Sequence, residues 1–199
     1  MTIGEAKEIM KEHSQRRYTA GEYFAIEESS EIKHEYYDGT IFATAGASVN
    51  HNRIVRNLLA AFHTALRGSE CEAFGSDLRV FTPAGLYTYP DVMVVCGPLE
   101  LVEAPLHTIA NPCLIVEVLS ESTAEYDKGE KFTLYQSIPA LRDYILISQG
   151  RPLAEHFEKT NQGTWSSRPY SALTDRVVPA SIPTILSLEQ IYEHTTGTY

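Results

Sequence analysis

Two kinds of apolar spacing occur along this chain. Between Ser48 and Arg67, apolar residues recur three and four positions apart, which is typical of an amphipathic helix. The runs VMVV at 92–95 and LIVEVL at 114–119 are almost continuously apolar instead. Runs without alternation indicate strands that are covered on both faces, so the spacing predicts a long helix beside a buried sheet.

Turn and capping signals predict further elements in the first half. The segment from Thr19 to Glu22 has the S/T-x-x-E form of a capping box and predicts a short helix. Asp38-Gly39 lies between two β-prone runs, which predicts a hairpin. Residues 71–82 predict two short strands or one bent strand.

The second half repeats the mixture of helix and strand. Residues 122–137 predict a helix capped by Ser122 or Thr123, and residues 143–147 predict a strand. A further hairpin at 153–170 and a short C-terminal helix follow. The order of elements predicts an α/β (α+β) fold, in which helices flank a mixed sheet.

Length and charge limit the possible functions. The chain has 199 residues, 43% of them hydrophobic, which fits one globular domain. We predict a polar leader at 1–18 and a single domain at 19–199. The formal net charge of −10 argues against a protein that coats nucleic acid. It argues less against a metal-dependent nuclease, because bound cations would neutralise some of the acids.

The cysteines and the N-terminus predict a cytoplasmic protein. The three cysteines form no C-x-x-C pair, so a zinc site of the usual spacing is disfavoured. Cys96 and Cys113 lie in apolar runs and are predicted to be small buried hydrophobes. An odd cysteine count suggests a reducing compartment. The N-terminus has no apolar signal segment, and no apolar run reaches the ~18 residues of a membrane helix.

Two acids interrupt the apolar strands. Asp91 begins the run DVMVV, and Glu117 lies inside LIVEVL. A carboxylate in a covered strand is costly unless it is paired or binds metal. Asp91 alone could be a turn residue, and Glu117 could form a buried ion pair with Lys or Arg. Carboxylates that converge would instead suit Mg²⁺ or Mn²⁺, which prefer oxygen ligands.

Three motifs together resemble the Uma2 family of the PD-(D/E)XK nuclease superfamily. They are Tyr89-Pro90-Asp91, then IVEVLS at 115–120, then YDKGEK at 126–131. The resemblance extends from about Thr19 to Leu188. It implies a restriction-endonuclease-like fold, a divalent metal and phosphodiester cleavage.

The resemblance also implies individual roles. Asp91 matches the Asp of the PD half-motif, and Glu117 matches the first acid of the (D/E)XK half-motif. Glu35 matches an early acid of the family, a supporting metal ligand. The superfamily lysine would be expected two residues after Glu117, but that residue is Leu119. Lys131 on the following helix resembles a migrated replacement for that lysine.

The choice of lysine rests on helix geometry. Lys128 and Lys131 are three residues apart and share a side of the predicted helix. Lys131 has more apolar neighbours and is predicted to lie nearer the buried face. Alternatively, Lys131 could form only an ion pair with Asp127, four residues earlier. Lys128 is predicted to be solvated.

Two further residues are predicted to support the site. His51 near the start of the long helix could contact a phosphate or carry a proton, or could simply lie near the helix cap. Tyr135 could support the acids or belong to the core.

These residues lead to three hypotheses. The first is a Mg²⁺- or Mn²⁺-dependent endonuclease, with DNA as substrate and Asp91, Glu117 and Lys131 as catalytic residues. The second is an inactive module of the same fold that binds a protein partner or a small anionic ligand. The third is a hydrolase of RNA or of another phosphate ester. A homodimer is expected for the first, with Arg53, Arg56 and Arg67 near the cleft to hold DNA.

Overall fold

The computed structural model describes residues 16–43, 46–120 and 123–197. Most of the predicted polar leader, residues 1–15, lies outside the described residues. The helices are α1 (Ala20–Ser29), α2 (Val49–Ala65), α3 (Ala124–Tyr126), a π-helix (Asp127–Lys131), α4 (Phe132–Tyr135) and α5 (Leu188–Ile191). The strands are β1 (His34–Tyr37), β2 (Thr40–Ala43), β3 (Cys71–Gly75), β4 (Arg79–Phe81), β5 (Tyr87–Thr88), β6 (Val92–Cys96), β7 (Thr108–Ile109), β8 (Leu114–Leu119), β9 (Asp143–Ser148), β10 (Ala154–Lys159), β11 (Trp165–Tyr170), β12 (Arg176–Val177) and β13 (Leu186–Ser187).

The strands form mixed sheets, as predicted. The larger sheet has the order β11-β10-β9-β8-β6-β3, and only its β8–β9 pair is parallel. A five-stranded sheet has the order β2-β1-β5-β4-β7, and β12 pairs with β13. In the five-stranded sheet, the β4–β7 pair is parallel and the other pairs are antiparallel.

Apolar side chains cover both faces of the six-stranded sheet. On one face, Ile54, Leu58 and Phe62 of α2 pack in a cluster with buried residues of β6, β8 and β9. On the other face, Phe132 and Tyr135 pack in a cluster with Met93, Ile115, Tyr144 and Leu146. The prediction of strands covered on both faces is therefore confirmed at β6, β8 and β9.

The local signals formed as predicted. Thr19 and Glu22 make both hydrogen bonds of the capping box that begins α1. Asp38 and Gly39 both have positive φ, 43° and 79°, as a tight two-residue hairpin turn requires. Ser48 caps α2 by accepting a hydrogen bond from the N–H of His51 at 3.1 Å.

The predicted helix at 122–137 is interrupted. Five residues adopt π-helical geometry between two short α-helical segments. Ser122 lies outside the described residues, and Thr123 makes no side-chain cap bond. The Ser120 hydroxyl instead accepts a hydrogen bond from the N–H of Thr123 at 3.2 Å.

The prediction that Cys96 is a small buried hydrophobe was wrong. Cys71 and Cys96 lie directly opposite each other on antiparallel β3 and β6 and form a disulfide. Cys113 is buried with a free thiol, 3.6 Å from the Cys96 sulfur, and burial raises its pKa. The sequence separation of 25 hid a pairing that only the strand register creates.

Across the described residues, every helix is too short or too polar to cross a bilayer.

Candidate active site

A cleft of about 690 Å³ opens beside the N-terminus of α2. Its lining combines four acids, two lysines, one histidine and two tyrosines: Glu35, Asp91, Glu117, Asp127, Lys33, Lys131, His51, Tyr89 and Tyr126. The predicted site residues Glu35, His51, Asp91, Glu117 and Lys131 therefore all line this one cleft.

Asp91 and Glu117 lie side by side because β6 and β8 are antiparallel neighbours. Val92 is paired with Val116, which places Asp91 opposite Glu117 in the register. The Asp91 backbone N–H donates to Glu117 Oε2 at 3.4 Å. In return, the Val118 N–H donates to Asp91 Oδ2 at 2.7 Å. Two acids 26 residues apart in sequence are thus held at adjacent positions.

Lys131 is buried among three of the carboxylates. Its ammonium lies 3.0 Å from Glu117 Oε1, 3.1 Å from Glu35 Oε1 and 3.6 Å from Asp127 Oδ1. Only 6% of its side chain is exposed. The predicted ion pair with Asp127 is present, and the contacts to Glu35 and Glu117 accompany it.

Glu35 is buried, although a strand beside a turn could have exposed it. It lies on β1, and its Oε1 accepts a hydrogen bond from the Thr88 hydroxyl at 2.5 Å. The same oxygen contacts Lys131. Glu35 therefore acts, in this arrangement, as a partner of the ammonium.

The π-helix gathers residues toward the cleft. The additional residue in its wide turn alters which side chains share a face, and such turns often occur at functional sites. Asp127 lies four residues before Lys131 and contacts it. The rings of Tyr126 and Tyr135 lie 6.0 and 5.9 Å from the ammonium. An acid, a lysine and two tyrosines therefore meet on one side of a short segment.

His51 and Tyr135 each contact one of the two central acids. His51 Nε2 lies 3.1 Å from Asp91 Oδ2, while its Nδ1 is buried without a partner among the described residues. The Tyr135 hydroxyl is fully buried and donates to Glu117 Oε1 at 2.8 Å. Each contact fixes the orientation of a carboxylate.

Negative charge exceeds positive charge in this cluster. Glu35, Glu117 and Asp127 contact the ammonium of Lys131, and Asp91 adjoins Glu117. Burial raises the pKa of Glu117 to about 8; the ammonium opposes this rise, and the neighbouring acids reinforce it. Burial likewise raises the pKa of Asp127. The arrangement is electrostatically suited to an additional cation.

The predicted three-carboxylate metal set is not assembled around one point. Within the described residues, no group of three His, Cys, Asp or Glu side chains is arranged to hold a metal ion. The Lys131 ammonium lies between Glu35 and Glu117. The metal role of Glu35 stays a prediction.

The predicted basic helix residues do not line the cleft. Arg53, Arg56 and Arg67 are absent from its lining. Arg67 lies 16 residues beyond His51, which corresponds to roughly 24 Å along a helix. Lys128, as predicted, is half-exposed, and it pairs with Glu155 at 2.6 Å.

Sequence reasoning missed four residues of the cleft. Asp127 entered only as an ion-pair partner, and Lys33, Tyr89 and Tyr126 had no assigned role. Tyr89 and Tyr126 lie inside the motifs that carry the family resemblance, and that position was a usable signal. Lys33 contacts Asp77 Oδ1 at 2.5 Å, a pairing that no local pattern indicates.

Comparisons with known proteins agree with this fold. The sequence profile of a family described as "Uma2: Putative restriction endonuclease" matches residues 20–189. An uncharacterized protein of Synechocystis sp. is 40% identical over 172 residues, which cover 86% of this chain and 89% of the relative. A further uncharacterized Synechocystis protein is 39% identical over 148 residues, which cover 74% and 84%.

One solved structure has the same architecture. It comes from Anabaena variabilis and is described as "a putative nuclease belonging to DUF820". The TM-score is 0.68 at 16% sequence identity, over 82% of this chain and 91% of that chain. At this identity the likeness shows a shared fold, a mixed sheet flanked by helices.

Proposed function

Since this chain belongs to the Uma2 family, we propose that it is a metal-dependent endonuclease that hydrolyses phosphodiester bonds in DNA. One observation carries the proposal. Asp91 and Glu117 adjoin in a cleft where four carboxylates outnumber the single buried ammonium of Lys131. A site with this excess of negative charge favours a divalent cation over an anion until the cation is bound.

The donor set fits Mg²⁺ or Mn²⁺ bound by Asp91 and Glu117. Glu117 Oε2 accepts only the long hydrogen bond from the Asp91 N–H, and Asp91 Oδ1 accepts none from the described residues. Both oxygens therefore keep lone pairs for an ion. Mg²⁺ commonly uses one or two protein carboxylates and retains several waters. When bound, the ion would supply positive charge at the phosphate and acidify a water.

The residues of the chain would perform the remaining steps. Lys131 stays protonated, because the carboxylates around it outweigh burial and raise its pKa. Its ammonium can orient the attacking water or offset the charge that develops on the phosphate. His51 can carry a proton or contact a phosphate oxygen, and Tyr135 holds Glu117 in place.

An inactive nuclease-fold module is the second candidate. It is supported by the position of Lys131, whose ammonium contacts both Glu35 and Glu117, so that a cation of the chain itself engages two of the predicted metal ligands. Such a module would bind a protein partner or a small anionic ligand and would show no ion binding that depends on Glu117.

The basic residues and the oligomeric state form a separate part of the proposal. The net charge of −10 disfavours DNA binding by one acidic monomer, and the arginines of α2 lie outside the cleft lining. We propose a homodimer, which sedimentation of the purified chain would test. A monomer at all concentrations, with tight DNA binding, would contradict this part alone.

Cleavage assays test the proposed activity. Single-stranded DNA, duplex DNA and RNA would be incubated with Mg²⁺ or Mn²⁺. Asp91→Asn is the variant, and Glu72→Gln, at an exposed acid of β3, is the control. We expect metal-dependent DNA cleavage that Asp91→Asn abolishes and Glu72→Gln retains. Cleavage of RNA alone would support the third hypothesis instead.

Calorimetric Mn²⁺ titration separates the enzyme from the inactive module. We expect site-specific heat for the wild type and for Glu72→Gln, and none for Glu117→Gln. No cleavage of any nucleic acid combined with no Glu117-dependent heat would refute the proposed function.

A further inference from the structure

Two buried polar atoms at the cleft have no partner. In the described part of the chain, three buried side-chain atoms lack a hydrogen bond: His51 Nδ1, Tyr126 OH and Ser181 Oγ. The first two belong to residues that line the cleft. A buried donor without an acceptor is costly and calls for a reason, such as a ligand that completes it. Their shared location indicates that the cleft is built for a polar ligand.

Tyr126 lines the cleft together with Lys131. It ends α3 immediately before the π-helix, and the Lys131 ammonium lies 6.0 Å from its ring centroid. Burial, reinforced by the charge of Glu35, raises the pKa of Tyr126, so the hydroxyl remains protonated and can donate. Its missing partner is therefore an acceptor.

The nearby carboxylates do not serve as that acceptor, since the hydroxyl makes no hydrogen bond to any described residue. Glu35 Oε1 is occupied by Thr88 and Lys131, and Glu117 Oε1 by Tyr135 and Lys131. A proton donor beside an ammonium is a suitable environment for an anionic oxygen. Asp91 and Glu117, in contrast, suit the cation.

We propose that the Tyr126 hydroxyl donates a hydrogen bond to a phosphate oxygen of the bound substrate, an inference that rests on the proposed function. Tyr126 contacts the phosphate on one side, and Asp91 and Glu117 hold the ion on the other. Lys131 contributes its positive charge from its position among Glu35, Glu117 and Asp127. Tyr126 is thus a substrate-contacting residue that the family motifs do not assign.

The variant Tyr126→Phe isolates this contact. The hydroxyl has no partner among the described residues, so its removal breaks no hydrogen bond of the free protein and should leave the thermal midpoint within about 1 °C of wild type. Loss of a hydrogen bond to a charged oxygen should lower kcat/KM by about 10- to 100-fold. Tyr170→Phe on edge strand β11, three strands from β8, is the matched control and should behave as wild type.

A phosphate-binding arm keeps this inference distinct from the proposed function. Thermal midpoints would be measured with Mg²⁺ alone and with Mg²⁺ plus inorganic phosphate. Protection of the wild type that Tyr126→Phe loses supports the contact, even if no DNA is cleaved. Wild-type cleavage that Tyr126→Phe retains in full overturns the contact and leaves the nuclease intact. No protection of the wild type by phosphate overturns the contact. If cleavage and the Glu117-dependent Mn²⁺ heat are absent as well, the proposed function is overturned too.

Discussion

Two buried carboxylates on neighbouring parallel strands have opposite environments. Glu117 lies on β8 and Asp143 begins β9, and the two residues are 4% and 0% exposed. Asp143 accepts hydrogen bonds from His156 Nε2 at 2.6 Å, from the Ala180 N–H at 3.1 Å and from the Ser181 N–H at 2.8 Å. Three donors thus surround one acid.

Glu117 also has hydrogen-bond donors, but other carboxylates lie close to it. Tyr135 and Lys131 contact its Oε1, while Glu35, Asp91 and Asp127 add negative charge nearby. Burial opposes ionisation at both sites. At Asp143 the hydrogen bonds outweigh burial and lower its pKa, whereas at Glu117 burial and the neighbouring acids raise the pKa.

Fixed donors satisfy Asp143, whereas burial and neighbouring acids disfavour the charged form of Glu117. A carboxylate that only ties segments together is fully satisfied by fixed donors, as Asp143 is by the segment at 180–181. When burial and neighbouring acids disfavour the charged form of a carboxylate, binding of a cation can stabilise that form. The raised pKa of Glu117 in a cleft, rather than its burial alone, therefore supports the role proposed for it.

The largest effect should come from removal of the ammonium that balances the cluster. Lys131→Met leaves Glu35, Glu117 and Asp127 buried without their cation, which should lower the free energy of unfolding by about 3–5 kcal/mol. Lys128→Met, three residues earlier, removes a half-exposed lysine and should cost under about 1 kcal/mol. Urea unfolding at pH 7 measures both, and equal stability of the two variants would contradict this balance.

The next effect tests the satisfied acid. Asp143→Asn places an amide group against backbone N–H donors and weakens the bond to His156, which should cost about 2–3 kcal/mol. For a chain of this length, the thermal midpoint should fall by roughly 5–10 °C. Asp175→Asn is the control, because Asp175 is a partly exposed acid that also accepts hydrogen bonds from two backbone N–H groups. A loss no greater than that of the control would remove the contrast with Glu117.

The sequence could predict the features that depend on residues close together in the chain. The capping box at Thr19, the Asp38-Gly39 turn and the covered strands depend on neighbours in the chain, and all three formed. The motif resemblance supplied Asp91, Glu117 and Lys131, which the fold brings together in one cleft.

The remaining features depend on distant contacts. Glu35 and Lys131 meet across 96 positions, and the disulfide depends on the register of β3 with β6. Asp91 and Asp143 look alike in sequence, each an acid before an apolar run, yet only the tertiary donors at 180–181 distinguish them. The π-helix could not be predicted from the spacing of apolar residues, because one additional residue in so short a helix barely changes that spacing.

The pH dependence of stability should differ in sign between the two acids. Glu117 has its pKa raised from 4.5 to about 8, so the folded state binds more protons than the unfolded state in that window. Stability therefore falls as pH rises through it, by at most about 1.4 kcal/mol per pH unit. The lowered pKa of Asp143 stabilises the fold above its ordinary value of 3.8, and this is lost as pH falls through the folded value.

Glu117→Gln sharpens that comparison. The variant removes the titrating group, so its stability should decline less than that of the wild type between pH 5 and pH 8. Asp127, whose pKa is also raised by burial, retains its own smaller contribution. Urea unfolding at several pH values across the window measures the slopes, and parallel curves for variant and wild type would show that Glu117 does not titrate there.

The smallest effect concerns the hydroxyl that fixes Glu117. Tyr135→Phe keeps the buried ring and removes only the hydrogen bond to Glu117 Oε1, so it should cost about 1 kcal/mol in stability. Because Glu117 then loses a donor to its charged form, its pKa should rise further, and the slope of stability against pH should steepen near pH 8, where the wild-type decline levels off. Tyr144→Phe, a buried tyrosine whose hydroxyl donates to the Asp127 carbonyl, controls for the loss of a buried hydroxyl away from a carboxylate. If both variants steepen the slope equally, the Tyr135 hydroxyl does not act through Glu117.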